Sequence, residues 1–289
     1  MRLHVILVAM LLVGCEKYPL QGLVSPTAQE ESRAGDHAGS SGDTSDKDNP
    51  SQNQTSEKLP SDDYLGLRKG LILEYQTSSI SDLGPDLGGR MEEQELIRHE
   101  VTTVEVQGEQ ASASIWVTGF NLASGPISPS TTLYLKKQDG LYRKPPLGDS
   151  ADLFLPFPLK DSVRVIREAS SSTHIQTVNG YQDTVTVVAG AETATVAMGK
   201  TIETPAGTFE NCVEVRVTQL TNEFHAAYST GFTGKVESGM TITRWFAPGL
   251  GLIKFEQIHF NRDPRVEPMS LEYHGSLATY SVPVAPASP

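Results

Sequence analysis

The strongest constraint on the fold is an alternation of apolar and polar residues between Tyr64 and Tyr280. Val, Ile, Thr, Tyr and Phe recur at every second position, as at Ala113, Ile115 and Val117. Turn residues interrupt this pattern about every ten positions, and no segment shows the period of an amphipathic helix. The pattern predicts one all-β domain, mainly antiparallel, whose long meandering strands form a curved sheet or an open or half β-barrel.

Individual strands can be placed from turns and prolines. Asp139-Gly140 lies between two apolar runs and predicts a tight hairpin, because both residues tolerate positive φ. Residues Met91–Val106 read as one long strand. Leu153–Leu159 is apolar but contains two prolines, so we expect an irregular segment that lies across the sheet edge or the barrel mouth. Near the C-terminus, Phe209–Leu220 and Glu223–Ser229 read as two separate strands.

The N-terminus has the pattern of a bacterial export signal. A short basic start is followed by the apolar run Val5–Val13, which is shorter than the roughly 20 residues that a membrane-spanning helix needs. The next residues, Leu12-Val13-Gly14-Cys15, resemble the lipobox of bacterial lipoproteins. That resemblance implies cleavage between Gly14 and Cys15 and a diacylglycerol linked to the Cys15 sulfur. The alternative is an ordinary cleaved signal with a chance cysteine.

The composition divides the chain into four parts. Residues 1–14 are the predicted signal peptide, and residues 15–63 are the lipidated cysteine with a disordered acidic linker rich in Ser, Gly, Asp and Asn. As a flexible coil this linker would hold the β domain about 35–40 Å from a membrane. Residues 64–281 form the predicted β domain, and residues 282–289 a disordered tail. Glu16, instead of Asp, after the cysteine favours the outer membrane if the cell is Gram-negative.

Two later segments carry a second resemblance. These are Thr204–Val215, with Pro205-Ala206-Gly207, and Arg244–Lys254, with Ala247-Pro248-Gly249. Together with Phe157-Pro158-Leu159 they resemble a domain that recurs in bacterial lipoproteins and periplasmic proteins and is similar in outline to LolA/LolB-type carriers. The resemblance implies an open half-barrel and no particular reaction. Unlike the carriers, this sequence shows no clear lid helix.

No catalytic or metal-binding motif is present in a usable form. Met198-Gly199-Lys200-Thr201 imitates the end of a phosphate-binding loop but lacks the first glycine and the following helix. The histidines are scattered across predicted strands, and no Gly-x-Ser-x-Gly elbow occurs. The formal net charge of −12 excludes the basic stripe of a nucleic-acid-binding protein. We therefore expect a chain that is not an enzyme and has no metal or cofactor.

Two hypotheses for the β domain remain. In the first, it is a binding module that holds an apolar ligand or an envelope protein in its concave face, with Trp116, Phe157 and Trp245 as candidate lining residues. In the second, it is a structural or interaction lipoprotein whose barrel is filled by its own side chains. An apolar cavity of several hundred Å³ would favour the first hypothesis, and a packed interior the second. Cys212 reads as a small packed thiol; a redox role would require exposure.

Overall fold

The fold is described from a computed structural model, which covers residues 63–84, 89–107, 110–144, 151–178, 181–225, 234–264 and 268–283. All of these belong to the second of the two units into which the chain divides, Ser56–Pro289. The predicted signal peptide, Cys15, nearly all of the linker and most of the tail therefore lie outside the described residues. Within them the chain is all-β and antiparallel, as predicted.

The described residues form fourteen strands. They are β1 Ile72–Asp82, β2 Arg90–Gln107, β3 Gln110–Asn121, β4 Gly125–Lys137, β5 Gly140–Lys144, β6 Asp152–Pro156, β7 Ser162–Arg167, β8 Ser170–Val178, β9 Tyr181–Ala189, β10 Glu192–Thr204, β11 Gly207–His225, β12 Gly234–Ala247, β13 Gly251–Arg262 and β14 Met269–Ser281.

All of these strands belong to one sheet. Twelve of them follow the order β6-β5-β4-β3-β2-β1-β14-β13-β12-β11-β10-β7, while β9 pairs with β11 and β8 with β9. The first and last strands, β1 and β14, pair near its middle, with Ile72 opposite Ser281. The sheet curves strongly, because Phe154 of β6 packs 5.4 Å from Phe246 of β12 although β6 and β12 are far apart in the sheet order. It does not close into a barrel. The prediction of a curved sheet or open half-barrel is confirmed.

One strand differs from its prediction. The segments Phe209–Leu220 and Glu223–Ser229 were expected to be separate, but Gly207–His225 is a single strand of 19 residues. It stays continuous because it pairs with β12 over most of its length. On its other side it changes partner, from β10 up to Thr218 to β9 from Thr221. The polar residues at the join, Thr221 and Asn222, therefore mark a change of neighbour and not a turn.

The residues before β1 are fastened to the turn between β12 and β13. The Gly249 N–H donates to the Asp63 carbonyl at 2.5 Å, and the Tyr64 hydroxyl donates to the Asn211 carbonyl at 2.8 Å. Gly66 has a φ of +60°, and a Cβ at this position would lie 2.0 Å from the Leu250 carbonyl oxygen. Only glycine allows the two backbones to approach so closely. The predicted linker therefore joins the sheet at this turn.

The proline-containing segment lies at the sheet edge as expected, but its first part is a regular strand, β6, and not irregular. This strand is short, ends at Pro156 and pairs only with β5 among the described strands, so it lies at a sheet edge. Its Phe154 and Leu155 are buried. Separately, the described residues contain no helix long and apolar enough to cross a membrane.

Candidate functional site

The interior of the curved sheet is the first place to look for a ligand site, and it is occupied by aromatic side chains. The ring of Phe154 lies 5.2 Å from that of Tyr134 and 5.4 Å from that of Phe246, both edge-on. The Arg244 guanidinium stacks 4.6 Å from the centre of the same ring. These contacts fill the space between β6 and β12 and stabilise the curved sheet through burial and cation–π attraction.

One small cavity remains beneath this cluster. Its volume is about 30 Å³, which accommodates one or two water molecules. Binding sites for apolar ligands are roughly ten times larger. The cavity is lined mainly by apolar side chains, among them Leu71, Leu73, Ile115 and Leu141. This cavity is far too small for a lipid.

Two polar side chains line the same cavity. The Tyr75 hydroxyl donates to the Leu252 carbonyl at 2.9 Å, and burial raises the pKa of Tyr75 well above its usual value. The His99 ring lies 5.0 Å from the Tyr75 ring. Burial, and next the charge of Arg143, lower the pKa of His99 to about 4. Both groups are therefore neutral near pH 7 and serve the packing of the core.

The low pKa of His99 predicts acid lability. In the unfolded chain a histidine has a pKa near 6.5, so between about pH 6.5 and 4 the unfolded state binds more protons and the free energy of unfolding falls as the pH falls. From the pKa of about 4, the loss over this window is about 3 kcal/mol. His259, whose pKa burial also lowers, acts in the same direction.

We expect His99→Leu to remove most of this pH dependence. Urea unfolding between pH 7.5 and pH 4 would give a flatter stability profile for the variant, while the two proteins would differ little at pH 7.5. A variant with the wild-type loss of stability on acidification would show that His99 titrates normally in the folded state.

The structure does not bring the three candidate lining residues together. Trp116 is 43% exposed on β3 and alternates with Ile115, which packs in the core. Trp245 is buried, and its Nε1–H donates to Glu214 Oε2 at 3.0 Å. Phe157 is half-buried at the edge of the core, where its carbonyl accepts a hydrogen bond from Arg164. None of the three lines the cavity.

Four large apolar side chains are exposed on the outer face of β2 and β3 and in the turn that follows β3. We call them the outer patch: Leu96, Trp116, Phe120 and Leu122 are 48%, 43%, 46% and 58% exposed. Leu96 lies directly opposite Phe120 in the sheet register, whereas Trp116 lies opposite Glu100, with Arg98 between the two pairs. The sequence analysis selected only Trp116 from this group. The sequence did contain a signal for the others. Strand β3 carries large apolar residues at both odd and even positions, whereas a strand with one buried face needs them at only one of the two.

The cysteine of the β domain is inert. Cys212 is fully buried, and its thiol donates to the Phe209 carbonyl at 3.3 Å. Burial raises the pKa of this thiol to about 11. Since the thiolate is the reactive form, Cys212 serves the packing of the core and has no redox chemistry near pH 7.

Metal ligands do not converge anywhere in the part of the chain that the structure describes: no three His, Cys, Asp or Glu side chains lie close enough to hold an ion. Asn121 joins two nearby carboxylates instead, because its Nδ2 donates to Glu93 at 3.3 Å and to Glu95 at 3.2 Å. Its Oδ1 accepts the Ala123 and Ser124 N–H groups. These bonds fix the turn between β3 and β4.

Comparisons with known proteins give only distant similarity. No family model matches the sequence, and no curated protein does. The chain is similar to the structure of an exported protein with a YmcC-like fold from Bacteroides fragilis, at 11% identity and a TM-score of 0.37. It is likewise similar to that of a lipoprotein from Parabacteroides distasonis, at 12% identity and a TM-score of 0.37.

Each alignment covers 75% of this chain and 98% of the other chain. Because similarity at this level supports no inference about fold or function, the functional argument depends on the chain's own residues.

Proposed function

We propose that this chain is a lipid-anchored, non-catalytic protein of a bacterial cell envelope that acts through the outer surface of its β domain. The proposal selects the second of the two hypotheses, a domain filled by its own side chains. Its anchor is a diacylglycerol on Cys15, and its location is extracytoplasmic, in the outer membrane if the cell is Gram-negative.

The N-terminal sequence supports the location. A basic start, the apolar run Val5–Val13 and Leu12-Val13-Gly14-Cys15 occur in the order that export and lipidation require. The residue after the cysteine is Glu16 and not Asp, which supports the outer membrane.

The filled interior is the observation that carries the proposed mode of action. Phe154, Tyr134 and Phe246 occupy the space that a carrier would leave for its cargo, and the remaining cavity is about 30 Å³. A ligand with an acyl chain would have to displace this cluster, at the cost of several kcal/mol of core packing. A domain with this interior contacts other molecules with its surface.

The outer patch is the surface best suited to such a contact. It exposes four large apolar side chains, each by more than two-fifths, and Leu96 and Phe120 form a directly opposed pair within it. Exposed apolar side chains next to charged ones, here Arg98 and Glu100, are typical of interaction sites on protein surfaces. The apolar binding expected of Trp116 is therefore proposed at the surface and not in a cavity.

A ligand titration tests the filled interior. The full chain, purified in a mild detergent, would be titrated with palmitic acid and with a fluorescent naphthalene probe. We expect weak, non-saturable partitioning of both, because the interior has no vacancy for them. Saturable binding of one molecule per chain, competed by the second ligand, would overturn the proposal in favour of the carrier hypothesis.

A further inference from the structure

The outer edge of β8 is the least protected part of the sheet. Strand β8, Ser170–Val178, pairs with β9 and with no other strand among those that the structure describes. Its residues from Ser170 to Ile175 are exposed. Its sequence, Ser-Ser-Ser-Thr-His-Ile-Gln-Thr-Val, contains no Lys, Asp, Glu or Pro and shows no bulge in its register with β9. Natural edge strands normally carry at least one of these devices to prevent pairing with another chain.

The other two edge strands show what protection looks like in this protein. Strand β6 is short and ends at a proline, which cannot donate to a further strand. Strand β7 is charged, and its Arg164 donates to the carbonyls of Phe157 and Pro158, so the segment after β6 packs against it. Only β8 combines length, neutrality and exposure.

The hydrogen-bond register shows which β8 groups point outward. The Gly190 N–H donates to the Leu220 carbonyl at 2.7 Å. The even-numbered residues of β9 therefore direct their N–H and C=O groups toward β11. The alternate residues Ala189, Val187 and Val185 then bond to β8, where they face Ser170, Ser172 and His174. The N–H and C=O groups of Ser171, Thr173, Ile175 and Thr177 therefore point away from the sheet.

We propose that the outer edge of β8 pairs in antiparallel fashion with the β8 edge of a second copy of this chain, joining the two sheets around a two-fold axis. A second copy is a suitable occupant because the β8 sequence contains no Lys, Arg, Asp or Glu. The chain has a formal net charge of −12, but salt screens charges more than about 8–10 Å apart, so two β8 strands meet without like charges directly opposite each other.

Two-fold pairing also satisfies both edges at once. With His174 near the axis, Thr173 faces Ile175 of the partner, and Ser171 faces Thr177 of the partner, so β-branched residues meet across the new pair. The outward groups of the two strands supply about eight main-chain hydrogen bonds, within the usual range for a protein interface. Since each β8 edge is used once, the contact closes as a dimer and forms no filament.

A single strand pair buries little area, so the dimer is weak and concentration-dependent. Sedimentation velocity of the full chain in mild detergent, up to about 200 µM, covers the affinity range of such interfaces. The informative variant is Thr173→Pro, which removes an outward N–H while leaving the bonds to β9 in place. Thr173→Ala is the matched control, because both variants lose the 2.9 Å contact of Thr173 with Thr186 but only the proline loses the donor.

We expect wild type to dimerise and Thr173→Ala to dimerise somewhat more weakly, because it loses the cross-strand contact with Ile175. Thr173→Pro should raise the dissociation constant at least tenfold above that of Thr173→Ala. A monomeric wild type over the whole range would overturn the proposal, as would a folded Thr173→Pro variant that dimerises like the control. The dimer does not depend on the lipid. If the chain dimerises but carries no lipid, the proposed anchor is wrong and this inference stands.

Cysteine cross-linking in intact cells provides a second test that does not depend on a proline. Cys212 is buried, so a cysteine introduced on β8 is the reactive thiol of the described domain. After a mild oxidant, His174→Cys should give disulfide-linked dimers, because the two His174 residues face each other across the axis. Val163→Cys, on the exposed face of β7, should not. Equal yields at the two positions would contradict specific pairing of β8.

Discussion

Replacing Cys15 by alanine is expected to leave the protein either as an uncleaved precursor or free of membranes. The resemblance of Leu12-Val13-Gly14-Cys15 to a lipobox places the lipid on the Cys15 sulfur, and alanine offers no atom to accept it. One acyl chain gives only marginal membrane binding, whereas two or more make attachment effectively permanent. Loss of the lipid therefore changes the distribution of the protein almost completely.

Fractionation of cells and labelling with a radioactive fatty acid measure this effect. Cys212→Ala is the control, because it removes the only other cysteine of the chain, which is buried in the β domain. We expect label and membrane association with wild type and with Cys212→Ala, and neither with Cys15→Ala. Normal processing and labelling of Cys15→Ala would remove the basis for the anchor.

Replacing Phe154 by alanine should have the largest effect on stability. This ring touches Tyr134 and Phe246 and stacks under Arg244, so its loss removes buried area and leaves a cavity. Such substitutions cost about 3–5 kcal/mol. Urea unfolding measures the loss, with Trp116→Ala as the control: this residue is equally aromatic but 43% exposed, and its removal should cost less than about 1 kcal/mol.

The Phe154→Ala variant should also gain a property that the wild type lacks. A dry cavity lined by apolar side chains can bind a molecule of the size of benzene. Benzene should therefore raise the melting temperature of Phe154→Ala and leave that of wild type unchanged. If Phe154→Ala were as stable as Trp116→Ala, the interior would not be packed around Phe154 as described.

The sequence predicts the strands of this domain better than their arrangement. Asp139-Gly140 marks the hairpin between β4 and β5, although Gly140 already belongs to β5 and neither residue has the positive φ that the prediction assumed. The long strand read from Met91 to Val106 is observed as β2. The join at Thr221-Asn222 was misread, because a polar pair within a strand looks the same whether the chain turns or changes its neighbour. That difference depends on β9 and β10, which lie elsewhere in the sequence.

The arrangement of the core was not predictable for a related reason. Both Ile115 and Trp116 are large and apolar, and alternation alone does not say which of the two faces the interior. The choice depends on long-range pairing, in particular on β1 with β14 and on the curvature that brings β6 against β12. Sequence reasoning selected the aromatic residues correctly as a group but did not separate those that fill the core from those on the outer patch.

The central claim is that this domain works with its interior filled by its own side chains. Native mass spectrometry of the full chain, extracted from a bacterial envelope and compared with the denatured protein, tests it most directly. We predict that the native and denatured masses agree, so that the only lipid present is the one covalently attached at the N-terminus. A stoichiometric apolar molecule that is present in the native protein and lost on denaturation would contradict the claim and identify the domain as a carrier.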